Sequence, residues 1–365
     1  MQIQELLQQL EAVAPAAYQE SYDNAGLITG HPEWNCTGVL VSLDATEAIV
    51  DEAIRLHCNL VVAHHPIVFG GLKKINGKNY VEKAVIKAIK NDIALFAIHT
   101  NLDNVFQGVN GKIADLLGLQ QRAILQPKRN NLRKLVVFVP ASHEQPLLEA
   151  LFAAGAGGIG DYTECSFGSE GQGSFRPGAD TRPFSGQPGQ RHLAAEKRLE
   201  LIYPQPLERA IVTALRKAHP YEEPAFDLIP LDNEYDRVGS GMIGTLEAPL
   251  PEKAFLEQLK TVFHVPVIRH SPPTGKPISR VAVCGGAGSF LVSRALAAGA
   301  DAFVTADLKY HEFFDANDRL LLADAGHFET EQFTIDLLYD ILAGKFPTFA
   351  VFKTGLKTNP VNYYT

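Results

Sequence analysis

The chain has 365 residues, 46% hydrophobic and 20% charged, a balance near globular averages that excludes wholesale disorder and fibrous repeats. With 33 Lys and Arg against 41 Asp and Glu, the net charge of −8 offers no long-range attraction to phosphate backbones or anionic membranes, so nucleic acid is not an expected partner. No apolar run approaches the roughly 18 residues of a membrane span, and a cytoplasmic protein of two or three domains, at about 150 residues each, is expected.

In chain order, MQIQELLQQLEAVAP spaces Ile3, Leu6, Leu7 and Leu10 along one helical face with acids between them. That is unlike a basic leader followed by an apolar core, and it predicts a surface helix that is retained. From Thr37, short β-branched runs alternate with helical patterns: GVLVSLD, TEAIVDEAIRLH, NLVVAHH, YVEKAVIKAIKND, IALFAIH. This βαβαβ rhythm predicts a mainly parallel sheet.

Residues 155–190 hold ten of the 30 glycines and three prolines, too turn-rich for a continuation of that sheet. Tyr162, Cys165, Phe167 and Phe175 within the stretch argue for an ordered loop over a flexible linker. Around it stand LRKLVVFVP, a helix from near Glu144, KRLELIYP, a helix near Leu207 to Ala218, and PAFDLIPL. These suggest a small α+β module inserted into one host domain. After Ile278 the α/β rhythm returns as RVAVCGG, SFLVSRALAAG, DAFVTAD and RLLLADAG, then one long amphipathic helix from about His327 to Ala343, then PTFAVF. The expected architecture is therefore an α/β host, its sheet parallel or mixed and flanked by helices, over 1–130 and 233–365, with the α+β insert at 131–232. The four cysteines (Cys36, Cys58, Cys165, Cys284) form no Cys-x-x-Cys pair, and reduced, buried thiols are expected.

The chemistry-bearing residues follow strands. VVAHHP puts His64 and His65 at a strand end, because Pro66 cannot donate to a ladder, and open α/β sheets gather ligands beyond such ends. A lone His there would be structural, but two adjacent imidazoles leave the strand in different directions and can each reach a separate metal. IALFAIH ends in His99, followed by Asp103 in HTNLDN, where a carboxylate could bridge two cations. HTNLDN taken alone better suits an Asx turn capping the helix that follows, and the metal reading rests on its coincidence with the other sites. DAGHFETE places His327 and Glu331 one helical turn apart on one face, again behind an apolar strand. Three His, one Asp and one Glu at strand ends make the nitrogen and oxygen set of zinc, iron, manganese or cobalt. Two such divalent ions per subunit can share five side chains and keep positions open for water.

YDNAGL, VVAHHPIVF, HTNLDN and GHFETE in this order resemble the motif set of the interacting-factor-3-like dinuclear metal-centre family, whose members are often called GTP cyclohydrolase 1 type 2 homologues. The resemblance covers about residues 1–125 and 235–365. It implies that His64, His65, Asp103, His327 and Glu331 are the metal ligands, with Asp103 and Glu331 bridging. HPYEEPAFD, at His219 to Asp227, resembles the small ferredoxin-like insert of longer bacterial members, itself similar to trimeric signalling-type and copper-tolerance-type domains. This implies a ring-shaped homohexamer. Tyr22 departs from the Trp the family commonly has before its Asp-Asn pair.

Two cations in such a site lower the pKa of bound water from 15.7 toward about 7 and polarise a substrate oxygen, which points to metal-dependent hydrolysis of a nucleotide or other phosphoester. The family label implies GTP ring opening, although no residue here selects guanine. His99 is the candidate acid/base or positioning residue, and a buried hydrogen-bonded His is the alternative. Asp23, Asn24, Asp307 and His311 are weaker candidates for lining the cleft. GGAGSF lacks the Lys-Ser/Thr ending of a P-loop and reads as tight-turn packing. A second class of function is a non-enzymatic, metal-responsive scaffold or regulatory hexamer whose insert senses a ligand. A plain dinucleotide-binding domain fits worst, since the first strand-to-helix turn reads SLDATE instead of G-x-G-x-x-G.

Overall fold

The computed structural model describes residues 1–364. The chain divides into two compact units, one formed by residues 1–127 with 237–365 and the other by 128–236.

The first unit contains two sheets. One runs, in spatial order, Gly26–Thr29, Ala94–Ala97, Leu60–Ala63, Val39–Ser42 and Val351–Lys353. The last four are mutually parallel and Gly26–Thr29 is antiparallel to its neighbour. The βαβαβ expectation is met by Val39–Ser42, Leu60–Ala63 and Ala94–Ala97 with crossover helices Glu47–Arg55 and Tyr80–Lys90. All three strands are buried at every residue, as parallel strands covered on both faces must be. Both helices begin on side-chain caps: Thr46 accepts from the Ile49 N–H and Asn79 from the Glu82 N–H. The second sheet has the order Arg269–His270, Leu321–Asp324, Ala302–Ala306, Ile278–Ala287, Tyr235–Leu250 and Gln120–Lys128. Its central three strands are parallel, with an antiparallel neighbour on each side. The N-terminal helix spans Ile3–Val13 and buries Ile3, Leu6, Leu7 and Leu10.

One predicted element is divided. The long helix expected from His327 is two helices, His327–Glu331 and Thr334–Lys345. The Gln332 side-chain amide donates to the Glu329 carbonyl at 3.0 Å, the acceptor that the Phe333 N–H of a continuous helix would use. The Thr330 hydroxyl likewise bonds back to the Gly326 and His327 carbonyls, a competition that bends helices.

The second unit is a four-stranded antiparallel sheet, ordered Phe167–Phe175, His192–Pro204, Leu132–Pro140, Phe226–Leu231. Helices Glu144–Ala153 and Glu208–Ala218 contribute Leu147, Leu151, Ile211 and Leu215 to its core. Part of the glycine-rich stretch read as a loop is here a strand. Phe167–Phe175 pairs residue for residue with His192–Glu200, because at a sheet edge backbone hydrogen bonds hold glycines that have no side chains to pack. All four cysteines are free, three of them buried. Among the described residues no helix is long and apolar enough to cross a membrane.

Candidate metal centre

Five strands of the first unit end at one place. Leu60–Ala63 delivers His64 and His65. Ala94–Ala97 delivers His99 and, one short helix later, Asp103. Val39–Ser42 delivers Asp44, Ala302–Ala306 delivers Asp307, and Leu321–Asp324 leads to His327 and Glu331. The carboxyl ends of the parallel strands in two mixed sheets thus supply the groups of one cluster.

The five residues singled out as ligands come together. Glu331, with 3% of its surface exposed, stands between two groups. Its Oε2 lies 2.9 Å from His65 Nε2 and 3.0 Å from His327 Nε2, and those two nitrogens are 3.3 Å apart. Its Oε1 faces His64 Nε2 at 3.9 Å, and Asp103 Oδ1 is 3.5 Å from the same nitrogen. Donor atoms of His65, His327 and Glu331, and separately of His64, Asp103 and Glu331, each lie close enough to hold one cation. Glu331 belongs to both sets, while Asp103 groups with His64. His99 forms a third set with His64 and His65, its ring centroid 5.2 Å and 5.5 Å from theirs.

The outward nitrogen of each imidazole is committed. His64 Nδ1–H donates to the Ile98 carbonyl at 2.9 Å, which can only accept, so the neutral ring presents a bare Nε2. His65 Nδ1 bonds Asp44 at 2.8 Å, His327 Nδ1 bonds Asp307 at 2.7 Å and His99 Nδ1 bonds Asp23 at 2.9 Å. Such carboxylate partners fix the tautomer and raise the basicity of Nε2. Asp307 holds its position with φ of +57°, a left-handed conformation that Asp tolerates better than most residues.

The electrostatics call for positive charge. Burial alone would lower the His65 imidazolium, but its hydrogen bonds to Asp44 and Glu331 lift it to about 9. Against the same burial, the Glu331 charge and the Asp307 hydrogen bond lift His327 to about 11. Burial and the charge of Glu331 push the Asp103 carboxyl up, whereas His327 holds Glu331 well below the usual carboxylate range despite its burial. Without a metal, the site gathers protons on His65 and His327. A cation would release them.

Two further observations fit metals to these residues. His64 Nε2 and Asp103 Oδ1 are buried and have no hydrogen-bond partner, a costly condition for two polar atoms that coordination would relieve. Around Glu331, the GGAGSF glycines give room: a Cβ on Gly286, at φ +61°, would stand 2.3 Å from Glu331 Oε1 and 3.2 Å from His327 Cε1. The run serves the cluster in place of a simple tight turn.

The weaker candidates separate. Asp23 and Asp307 support His99 and His327 as described. Asn24 donates its side-chain amide to the Val68 carbonyl and its backbone N–H to the Asp23 oxygen that holds His99, and His311 packs with Tyr310 and Phe314. Tyr22 is 65% exposed, with its ring 6.4 Å from Phe69, whose ring is 6.2 Å from His99. Sequence reasoning missed Asp44 and the Thr358 hydroxyl that donates to it. SLD follows a β-branched run as HHP and HTNLD do, so the strand-end signal was there for Asp44; no local signal marks Thr358.

Known proteins match this chain over most or all of its length. The family model Duf34/NIF3 (NGG1p interacting factor 3) matches residues 1–360. A relative from Halalkalibacterium halodurans called GTP cyclohydrolase 1 type 2 homolog is 41% identical over 326 residues, 89% of this chain and 88% of that one. One of the same name from Staphylococcus epidermidis is 33% identical over the whole of both chains. The crystal structure of a Bacillus cereus protein related to NIF3 superposes with a TM-score of 0.87 at 36% identity, covering 100% of this chain and 99% of that one. With host strands, insert and clustered side chains all within the matched span, the chain belongs to the Duf34/NIF3 family.

Proposed function

We propose that the protein is a metal-dependent hydrolase holding two divalent cations per subunit, acting on a nucleotide or other phosphoester. The observation that carries this reading is the pair of buried, unpartnered atoms His64 Nε2 and Asp103 Oδ1 facing a carboxylate that also meets His65 and His327. His64, Asp103 and Glu331 would hold one cation and His65, His327 and Glu331 the other, zinc, iron, manganese or cobalt by donor type. When bound, such ions activate water and polarise a phosphoryl or ring oxygen. The chain's own residues do the rest. Asp44 and Asp307 keep the two imidazoles aimed, Gly285 and Gly286 leave Glu331 its place, and His99, oriented by Asp23, would pass a proton. The name the relatives carry makes GTP the first substrate to try. A cytoplasmic homohexamer is part of the same proposal, supported by the resemblance of the insert to trimeric domains.

The test is turnover. Metal-loaded protein is incubated with GTP, other nucleotides and simple phosphoesters beside His65→Ala. Metal-dependent product lost in the variant supports the enzyme, and absence of product from every substrate supports a metal-responsive scaffold.

A further inference from the structure

The metal centre makes no use of HPYEEP, yet the second unit is built around that segment. Along Leu132–Pro140 and His192–Pro204, the residues Leu135, Val137, Val139, Leu199 and Leu201 enter the core shared with the two helices. The alternate positions Phe138, Glu196 and Arg198 therefore stand on the other face of the sheet. On that face, beside the edge strand Phe167–Phe175, the segments 177–184 and 221–225 border a half-open cavity of about 580 Å³, a size that accommodates a small organic molecule.

Its wall is aromatic: Phe175 and Phe184 each have ring centroids 6.0 Å from that of Tyr221. Its polar centre is Glu196, held from two sides. The Tyr221 hydroxyl donates to Glu196 Oε1 at 2.8 Å. The carboxylate also occupies space that only a glycine leaves, since a Cβ on Gly173 would come within 2.1 Å of Oε2. Tyr221 is fixed in turn by His219. That imidazole, 6% exposed, donates Nε2–H to the Phe138 carbonyl at 2.9 Å and accepts the Tyr221 N–H at Nδ1, 3.1 Å away. The first residue of HPYEEP thus sets the third, and the third sets Glu196.

The charge is one-sided. Four glutamates and one arginine line the cavity. Glu170 is paired with Lys197 at 3.1 Å and Arg198 with Glu200 at 3.0 Å, while Glu222 accepts the Arg182 backbone N–H. Glu196 and Glu223 have no basic partner among the described residues. Aromatic faces beside unneutralised carboxylates attract a cation with an apolar body and repel an anion of the same shape.

We propose that this cavity binds a small organic cation, an amine or guanidinium on an aliphatic or aromatic body. The cationic head meets Glu196 Oε2 and the body lies against Phe175, Phe184 and Tyr221. The site is separate from the metal centre and does not depend on the hydrolase reading.

The test uses the full chain, stripped of metal by chelation so that amine coordination cannot contribute, and titrated calorimetrically with phenethylamine and with 3-phenylpropionate. Phenethylamine is expected to saturate, with the carboxylate analogue at least about tenfold weaker. Glu196→Gln and Phe184→Ala, the latter at a 52% exposed position, should each weaken phenethylamine at least about fivefold, with circular dichroism unchanged. Equal binding of cation and anion, no saturable binding of phenethylamine, or unchanged affinity in folded Glu196→Gln would overturn the proposal.

Discussion

Gly286→Ala puts the geometry of the metal centre to a quantitative test. At φ +61° an alanine carries a left-handed backbone penalty of about 1–2 kcal/mol. Its Cβ would also lie 2.3 Å from Glu331 Oε1, so that oxygen must retreat by roughly 1 Å to reach an ordinary contact. Metal–ligand distances tolerate only about 0.2 Å, and Glu331 is buried with neighbours on both sides, so the shift cannot be absorbed by a swing into solvent. Gly299→Ala is the control: its φ is +71° with nothing within 4 Å of the added carbon, so it carries the backbone term alone. We expect Gly299→Ala to lose about 1 kcal/mol in urea unfolding and keep full metal affinity. Gly286→Ala should lose about 3 kcal/mol and bind metal at least about 100-fold more weakly. Equal metal affinity in the two variants would refute the placement of Glu331.

Asp44→Asn and Asp307→Asn should each weaken one cation about 10- to 100-fold, the usual effect of removing a carboxylate that orients a ligand histidine, and leave a second, His64-side cation in place; calorimetric titration with zinc reads both phases. Asp23 is held at about 2, against burial, by hydrogen bonds from His99 and Thr100. Its lowered pKa means that its contribution is fully present above the ordinary Asp value of about 3.8 and fades as pH falls toward 2. Asp23→Asn should accordingly be roughly 2 kcal/mol less stable at neutral pH, with the gap closing between about pH 4 and pH 2; a gap of the same size across that window would rule out the ionised carboxylate as its source.

Much of the host was legible because parallel strands covered on both faces read as unbroken apolar runs, and Val39–Ser42, Leu60–Ala63 and Ala94–Ala97 are buried throughout. The cluster was legible for a related reason, since polar residues that directly follow such runs sit at strand ends, where a sheet can offer side chains without breaking its ladder. What stayed hidden depends on contacts between distant segments. Phe167–Phe175 is held by pairing to His192–Glu200, which no glycine-rich sequence announces. The break after Glu331 comes from side chains competing for helical carbonyls beneath an uninterrupted apolar periodicity. Thr358 reaches Asp44 across 314 positions, and the fit of Gly286 against Glu331 exists only once two strands and a helix are assembled.

The central claim is that one carboxylate, Glu331, serves two cation positions while Asp103 serves the His64 position. Elemental analysis of reconstituted, dialysed protein tests it directly. The wild type should carry two divalent ions per subunit, Asp103→Asn one, and Glu331→Gln none, all three folded by circular dichroism. A Glu331→Gln protein that keeps a full equivalent of metal, or an Asp103→Asn protein that loses both, would contradict the account.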